Sequence, residues 1–339
     1  MPAKVTSTRR NSSRSSKRGS DLGPNVRSDL RSNLRSNRKF HLALPATSAN
    51  LGPAFDAAAL AMNFYIKIDA HPAGEFSIFA SGRDREICGR LENHLILKTY
   101  SEVLEAANKP VIPLALNIAN DIPIGKGCGS SAAARLAGVA LAVHFGELVW
   151  NDAQIIGEAS RREQHPDNAS ACWMGGITVA RMSGEAEAEV VNIHPKGKWP
   201  LLLAVPDQCL ATEEARRAIP TQHSHADAVA NVRNSMLLLA ALTQGRHDLL
   251  AHALEDRFHQ PYRAALCPLL PCLQELQGTN GIAGAALSGA GPSVLMFLHP
   301  RASVAKVRRA VTEHLSGNRL AAELILTSIT LRGARVLTR

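Results

Sequence analysis

The sequence predicts an α+β fold in two domains, and three observations predict it. Short apolar runs of period two interleave with longer helical patterns, neither half repeats a parallel β-α-β unit, and 339 residues are more than one core ordinarily serves. Order begins at Phe40. There Phe40, Leu42 and Leu44 alternate with His41 and Ala43 and then meet Pro45, the pattern of a short strand closing in a turn. Further strands are predicted over residues 61–70, 76–80, 114–119, 176–181 and 201–205. Helices are predicted over 95–107, 131–145, 153–162, 212–218, 226–243, 247–254 and 304–315, where apolar residues recur at intervals of three and four. A seam between residues 190 and 200 separates a first domain, 40–195, from a second, 196–339. Aromatic residues make up only 4% of the chain, so Ala, Leu, Ile and Val must fill the interior.

Residues 1–39 hold eight Arg and three Lys against Asp21 and Asp29, while the other 300 residues balance 27 basic against 27 acidic; the net charge of +9 belongs to this segment. Rich in Arg, Ser and Asn and poor in apolar residues, the segment reads as a disordered basic tail. Its composition also resembles that of an organelle transit peptide, the alternative to a cytoplasmic setting. A basic chain invites a nucleic-acid reading, but the balanced body confines that reading to the tail, and no nucleic-acid partner is expected. The longest apolar stretch, 132–145, is interrupted by Arg135, Gly138 and His144, so no membrane span is predicted. Six cysteines (Cys88, Cys128, Cys172, Cys209, Cys267 and Cys272) form no C-x-x-C pair. They read as buried, reduced thiols and not as a zinc site or disulfide framework.

The sharpest motif runs Pro123, Ile124, Gly125, Lys126, Gly127, Cys128, Gly129, Ser130, Ser131, Ala132, Ala133, after a predicted strand and into a predicted helix. Three alternate glycines let a ligand approach the backbone, and the first-turn N–H groups with the helix dipole behind them make an anion site suited to phosphate. It is not a Walker A loop, a dinucleotide G-x-G-x-x-G or a nucleophile elbow, because each spacing fails. A second cluster, EQHPDN at 163–168, packs acid, imidazole and amide around a proline. By itself it reads as a solvated surface turn ahead of a cleft loop whose Glu holds Mg²⁺ through oxygen. Two further turns, PATSANLGPAFD at 45–56 and SGAGPS at 288–293, have the small residues of a backbone lying against a ligand.

Taken in order, these four motifs resemble the GHMP kinases over essentially the whole chain from Phe40 onward. The Leu44-Pro45-Ala46-Thr47 start is similar to the branch that phosphorylates L-homoserine, whereas mevalonate-type relatives begin with a Lys-containing segment. The resemblance implies a two-domain fold, with an N-terminal domain like ribosomal protein S5 domain 2 and a ferredoxin-like C-terminal domain. The implied activity is transfer of phosphate from ATP, with Mg²⁺, to the homoserine side-chain hydroxyl in threonine biosynthesis. The residues from Pro123 to Ala133 would wrap the ATP phosphates. Ser131 and Glu163 would hold the metal, with Glu158 as the alternative acid. Asn50 and Asp56 would grip the amino acid, with the Asp answering its ammonium, and His165 and Thr212 would add contacts. Arg216 and Arg263 would clamp its carboxylate. Asn168, an amide where some relatives place an acid, implies attack by a hydroxyl held in line. A homodimer is also implied. Ala54, Ala58, Ala59 and Cys128 depart from the usual family residues, and none of these changes removes a charged group. Two other readings compete: a GHMP kinase for a mevalonate-like or sugar alcohol, and a nucleic-acid-associated protein acting through the basic tail.

Overall fold

The computed structural model describes residues 39–336. Of the segment read as a tail, all but Lys39 lies outside the described residues. In chain order the elements are β1 (Phe40–Ala49), β2 (Ala58–Pro72), β3 (Ser77–Gly82), α1 (Arg85–Cys88), α2 (Leu95–Ala106), β4 (Leu114–Asn120) and α3 (Ser130–Phe145). Then come α4 (Asp152–Glu163), α5 (Asp167–Met174), β5 (Ile177–Met182), β6 (Ala188–Ile193), β7 (Pro200–Val205), α6 (Thr212–Arg217) and α7 (His225–Gln244). The chain continues through α8 (Leu250–Ala253), α9 (Gln260–Arg263), α10 (Leu269–Gln274), β8 (Ile282–Leu287), β9 (Val294–Leu298), α11 (Val304–Gly317), β10 (Glu323–Ser328) and β11 (Arg335–Val336).

Two sheets organise these elements. The first runs β11-β1-β2-β4-β3, with β5 paired to the early part of β2 and β6 paired to β5. Among the described strands only β3 and β4 run parallel, consistent with the absence of β-α-β repeats in the sequence. The second sheet runs β10-β7-β9-β8 and is antiparallel throughout. Apart from β11, the first sheet's strands end at Ile193, and the second's begin at Pro200. After β10 the chain returns to the first sheet: Thr330 N donates to Ala61 O at 3.0 Å, Gly176 N donates to Thr330 O at 2.7 Å, and β11 pairs β1.

Packing explains why β7 reads as an unbroken apolar run. Leu201, Leu203 and Val205 enter the large core that α3, α7 and α8 share with the first sheet, while Leu202 and Ala204 face the core under α10 and α11. Helix α3 is buried almost all round, with Leu136, Val139, Leu141 and Ala142 inaccessible, which its near-continuous Ala/Leu/Val composition permits.

Three expectations need correction. Pro45 does not end the first strand: β1 continues to Ala49 through a register shift at Pro45/Ala46, the irregularity at which a strand tolerates a missing N–H. Residues 167–174 form helix α5, although the polar, proline-containing start reads as a turn. Pro166 stands at the N-cap, Asp167 complements the positive end, and the helix packs on β1, β2 and β5. All six cysteines are free, but Cys209 is exposed where a buried thiol is expected. Among the described residues no helix is long and apolar enough to cross a membrane.

Helix α3 carries the phosphate-binding motif, so its packing bears on both stability and site. Leu136→Ala should cost about 2–5 kcal/mol, the range for truncating a fully buried Leu that its surroundings cannot refill. Urea denaturation measures this, and a cost under about 1 kcal/mol would contradict the packing described.

Candidate active site

Three turns meet at the head of α3. The loop between β4 and α3 places Gly125, Gly127 and Gly129 at φ of 70°, 76° and 70°, a region that favours glycine. Space is equally restrictive. A Cβ at Gly127 would lie 2.1 Å from Ser288 O, and one at Gly129 would lie 1.9 Å from Thr47 Oγ1. The loop is fixed from both sides: Thr47 N donates to Cys128 O (3.1 Å), and Ser288 Oγ donates to Gly127 O (2.7 Å). Gly289 N donates in turn to Ala49 O (3.1 Å), closing the triangle. With those carbonyls engaged, the first-turn amides of α3 face a cavity of about 530 Å³, a size suited to small-molecule ligands.

Ile124, Gly125, Gly127, Cys128, Gly129, Ser130, Ser131, Ala132 and Ala133 line this cavity, whereas Pro123 and Lys126 do not. Lys126 turns away, its Nζ donating to the backbone carbonyl of Asp207 beyond β7. Ser131 Oγ donates to Glu163 Oε1 at 2.6 Å, and Arg135 Nε contacts the same oxygen. Hydroxyl and carboxylate oxygens converging at the helix head form a hard donor set of the kind Mg²⁺ takes. Glu158, one turn earlier on α4, is held elsewhere, by Arg161 Nη2 (2.8 Å) and Arg162 Nη2 (2.9 Å), and does not line the cavity.

Past the helix head lies a corner of opposed charges. Asn50 Nδ2 donates to Gly289 O (3.0 Å), while its Oδ1 accepts from Asp56 N (2.9 Å) and holds Asp56 at φ 54°. The Asp56 carboxylate accepts both arms of Arg216 from α6, at 3.0 and 2.9 Å. Arg263 from α9 is 1% exposed and donates Nε to Ala215 O (3.1 Å). No carboxylate is hydrogen-bonded to it, and burial, with the neighbouring charge of Arg216, pushes its pKa down to about 10. Both guanidiniums lie over the Phe55 ring, Arg216 at 5.6 Å and Arg263 at 5.5 Å from its centroid. A buried cation of this kind suits an anionic ligand.

The EQHPDN segment faces this cavity; it is not a surface turn. His165 Nδ1 and Asp167 Oδ1 are 2.6 Å apart and both residues are buried. Burial lowers the His165 pKa, but the bond to Asp167 and the charges of Asp167, Asp56 and Glu163 outweigh it, and the net shift is upward. Asn168 Oδ1 accepts from Thr47 Oγ1 (2.7 Å), and Asn168 N donates to Asp167 Oδ1 (2.6 Å). Asn50, Asp56, Glu163, His165, Asn168, Thr212, Arg216 and Arg263 all line the one cavity. Ala54, Ala58 and Ala59 are buried and do not line it.

Sequence reasoning missed Asp167, Thr47 and Arg135, and also the wall opposite the charged corner. That wall is formed by Ile87, Cys88, Arg90, Glu92, Asn93, His94, Leu95 and Ile96. Its one signal was the polar run Arg90 to His94 interrupting two apolar segments.

The His165–Asp167 pair has a signed pH consequence. With the folded pKa raised, the pair's stabilisation is fully present below the unfolded value of about 6.5 and is lost as pH rises through the folded value. The stability difference between the wild-type chain and His165→Gln should therefore shrink on going from pH 6 toward pH 8.5. Denaturation midpoints across that range measure it; a flat difference would show that the imidazole is not charged in the fold.

Comparison with known proteins places the chain in a family. The family models for the GHMP kinase N-terminal and C-terminal domains match residues 94–176 and 238–317. A homoserine kinase of Solibacter usitatus is 43% identical over 260 residues, covering 76% of this chain and 84% of that one. One of Deinococcus radiodurans is 33% identical over 299 residues, covering 88% and 97%. The crystal structure of homoserine kinase from Cytophaga hutchinsonii superposes with a TM-score of 0.73 at 21% identity, covering 88% of this chain and 97% of that one, and shows the same two-domain fold. The chain belongs to the GHMP kinase family and, within it, to the homoserine kinases.

Proposed function

We propose that the chain transfers the γ-phosphoryl group of ATP to the side-chain hydroxyl of L-homoserine, giving ADP and O-phospho-L-homoserine. One observation carries this reading: a single cavity joins a phosphate-binding helix head to a corner where a carboxylate and two guanidiniums answer both charged ends of an amino acid. ATP phosphates lie against the amides from Gly127 to Ala132, whose N–H groups stabilise charge on the transferring group. Ser131 and Glu163 would hold Mg²⁺, which would supply positive charge to neutralise phosphate oxygens. Asp56 takes the substrate ammonium, and Arg216 and Arg263 take its carboxylate, so the fork between Asp56 and Arg216 is exchanged for two forks to substrate. Asn50 fixes the Asp56 backbone, and His165 and Thr212 close the sides.

Asp56, Asp167 and Glu163 are each already engaged by a neighbour, so none is left to serve as a free general base. Asn168, fixed by Thr47 and Asp167, orients the hydroxyl in line with the phosphorus, and proximity supplies much of the rate. Lys126 receives no role, because its ammonium is held outside the cavity. The paired guanidiniums with Asp56 disfavour a mevalonate-like or sugar acceptor, which has no ammonium. A homodimer in the cytoplasm rests on the family resemblance alone, and light scattering tests the assembly.

The decisive assay is ADP release with ATP and Mg²⁺, comparing L-homoserine with L-serine, L-threonine, mevalonate and no acceptor. Homoserine should be preferred, and acceptor-independent release alone would refute the reading. Glu163→Gln should lower kcat at least about a hundredfold through loss of metal-assisted charge neutralisation. Asn168→Ala should lower kcat about ten- to a hundredfold while ATP still binds, and full turnover in that variant would remove Asn168 from the mechanism.

A further inference from the structure

His259 belongs to none of the motifs and does not line the cavity, yet it joins two parts of the acceptor corner. It is 0% exposed and stands at the N-cap of α9, four residues before Arg263. Its Nε2 lies 2.8 Å from Gly52 O, and its Nδ1 lies 3.1 Å from Arg263 Nη1. A carbonyl only accepts and a guanidinium only donates, so the ring must donate at Nε2 and accept at Nδ1, the neutral Nε2–H tautomer. Burial drives the imidazole pKa well below its ordinary value; the charge of Asp256 pulls it back and that of Arg263 adds to the fall. Asp256 Oδ2 also lies 3.4 Å from Nε2, farther than Gly52 O, and the carboxylate caps the turn by accepting from the amides of Phe258 (2.8 Å), His259 (2.9 Å) and Gln260 (2.6 Å). The flat face of the imidazole stacks on Phe55 at 5.1 Å, the ring that Arg216 and Arg263 also approach.

We infer that His259 is a positioning residue that aims Arg263 at the acceptor's carboxylate, its Nε2–H bond to Gly52 O holding the ring so that Nδ1 faces the guanidinium. The inference rests on the amino-acid acceptor proposed above. Arg263 has two internal hydrogen bonds among the described residues, to Ala215 O and to His259. With the imidazole bond gone, the guanidinium keeps only Nε as an anchor and rotates about it. The effect should therefore fall on recognition of the carboxylate and leave ATP untouched.

The test uses the purified full chain in the ADP-release assay. His259→Phe keeps a flat ring against Phe55 and loses both hydrogen bonds, while His259→Gln retains one acceptor and one donor. The probes are L-homoserine as substrate and 3-aminopropan-1-ol, which has the same hydroxyl and ammonium but no carboxylate, as competitor. His259→Phe should raise the homoserine KM about ten- to a hundredfold, the scale of a lost hydrogen bond to a charged group. The KM for ATP and the inhibition constant of 3-aminopropan-1-ol should stay within about twofold, and His259→Gln should recover most of the loss. An unchanged homoserine KM in His259→Phe overturns the inference, as does a loss shared equally by ATP and both acceptor probes, which marks a merely structural role. If the Phe variant does not fold, His259→Gln decides: a near-wild-type homoserine KM supports the inference, and a shared loss overturns it. Wild-type protein that releases no ADP in response to homoserine refutes the acceptor reading, and this inference falls with it.

Discussion

The site depends on the interlock of three turns at the head of α3. Each turn is too small to have a core of its own, and each is held by main-chain groups of the others: Thr47 N on Cys128 O, Ser288 Oγ on Gly127 O, Gly289 N on Ala49 O. A Cβ at Gly127 would meet the backbone oxygen of Ser288 and one at Gly129 the hydroxyl of Thr47, so any side chain there would enter the neighbouring turn. The contacts also couple segments far apart in the chain, so the helix head is held by elements of both sheets. Phosphoryl transfer gains from such a frame, since donors already fixed need not reorganise as charge develops.

Charge in the acceptor corner is arranged so that the fold survives without substrate. The Asp56–Arg216 fork is about one-third exposed on each side, so it neutralises itself at modest cost. Arg263 is different. Buried, with no carboxylate bonded to it and with Arg216 nearby, it holds its charge against a desolvation penalty that backbone and imidazole acceptors only partly offset. In the proposed reaction a substrate carboxylate would relieve that penalty and also replace Asp56 on Arg216, freeing Asp56 for the ammonium. Ligands with one charged end can do only half of this, which ties the selectivity proposed above to the unliganded electrostatics.

Much of this was legible in sequence because the relevant signals are local. Alternation marked β1, periodicity marked α2, α3 and α4, and the alternate glycines marked the anion loop before any contact was known. What stayed hidden was set by tertiary partners. Helix α5 looks like a turn until β1, β2 and β5 cover it, and β6, β8 and β10 are short and lack strong alternation. The sequence put Glu163 ahead of Glu158 with both in range, and the fold separates them, setting Ser131 on Glu163 and Arg161 and Arg162 on Glu158. The wall from Ile87 to Ile96 uses residue types common on any surface, and His259 acts through one carbonyl and one guanidinium whose positions no spacing reveals.

The amide at position 168 follows from the same crowding. Oxygen and nitrogen ligand atoms of Asp56, His165 and Asp167 already lie within 4.8 Å of one another. Asn168 sits beside that cluster, bonded to Thr47 and to Asp167. A carboxylate there would be a further negative charge next to Asp167, and like charges so close resist joint ionisation. It would also face the incoming phosphate, whose negative charge the helix head attracts. An acid at that position gains a base and loses part of the field that draws ATP in. In the proposed mechanism an amide would keep a hydrogen bond for orienting the acceptor hydroxyl and leave the field intact, so the rate would be gained by placement and not by proton abstraction.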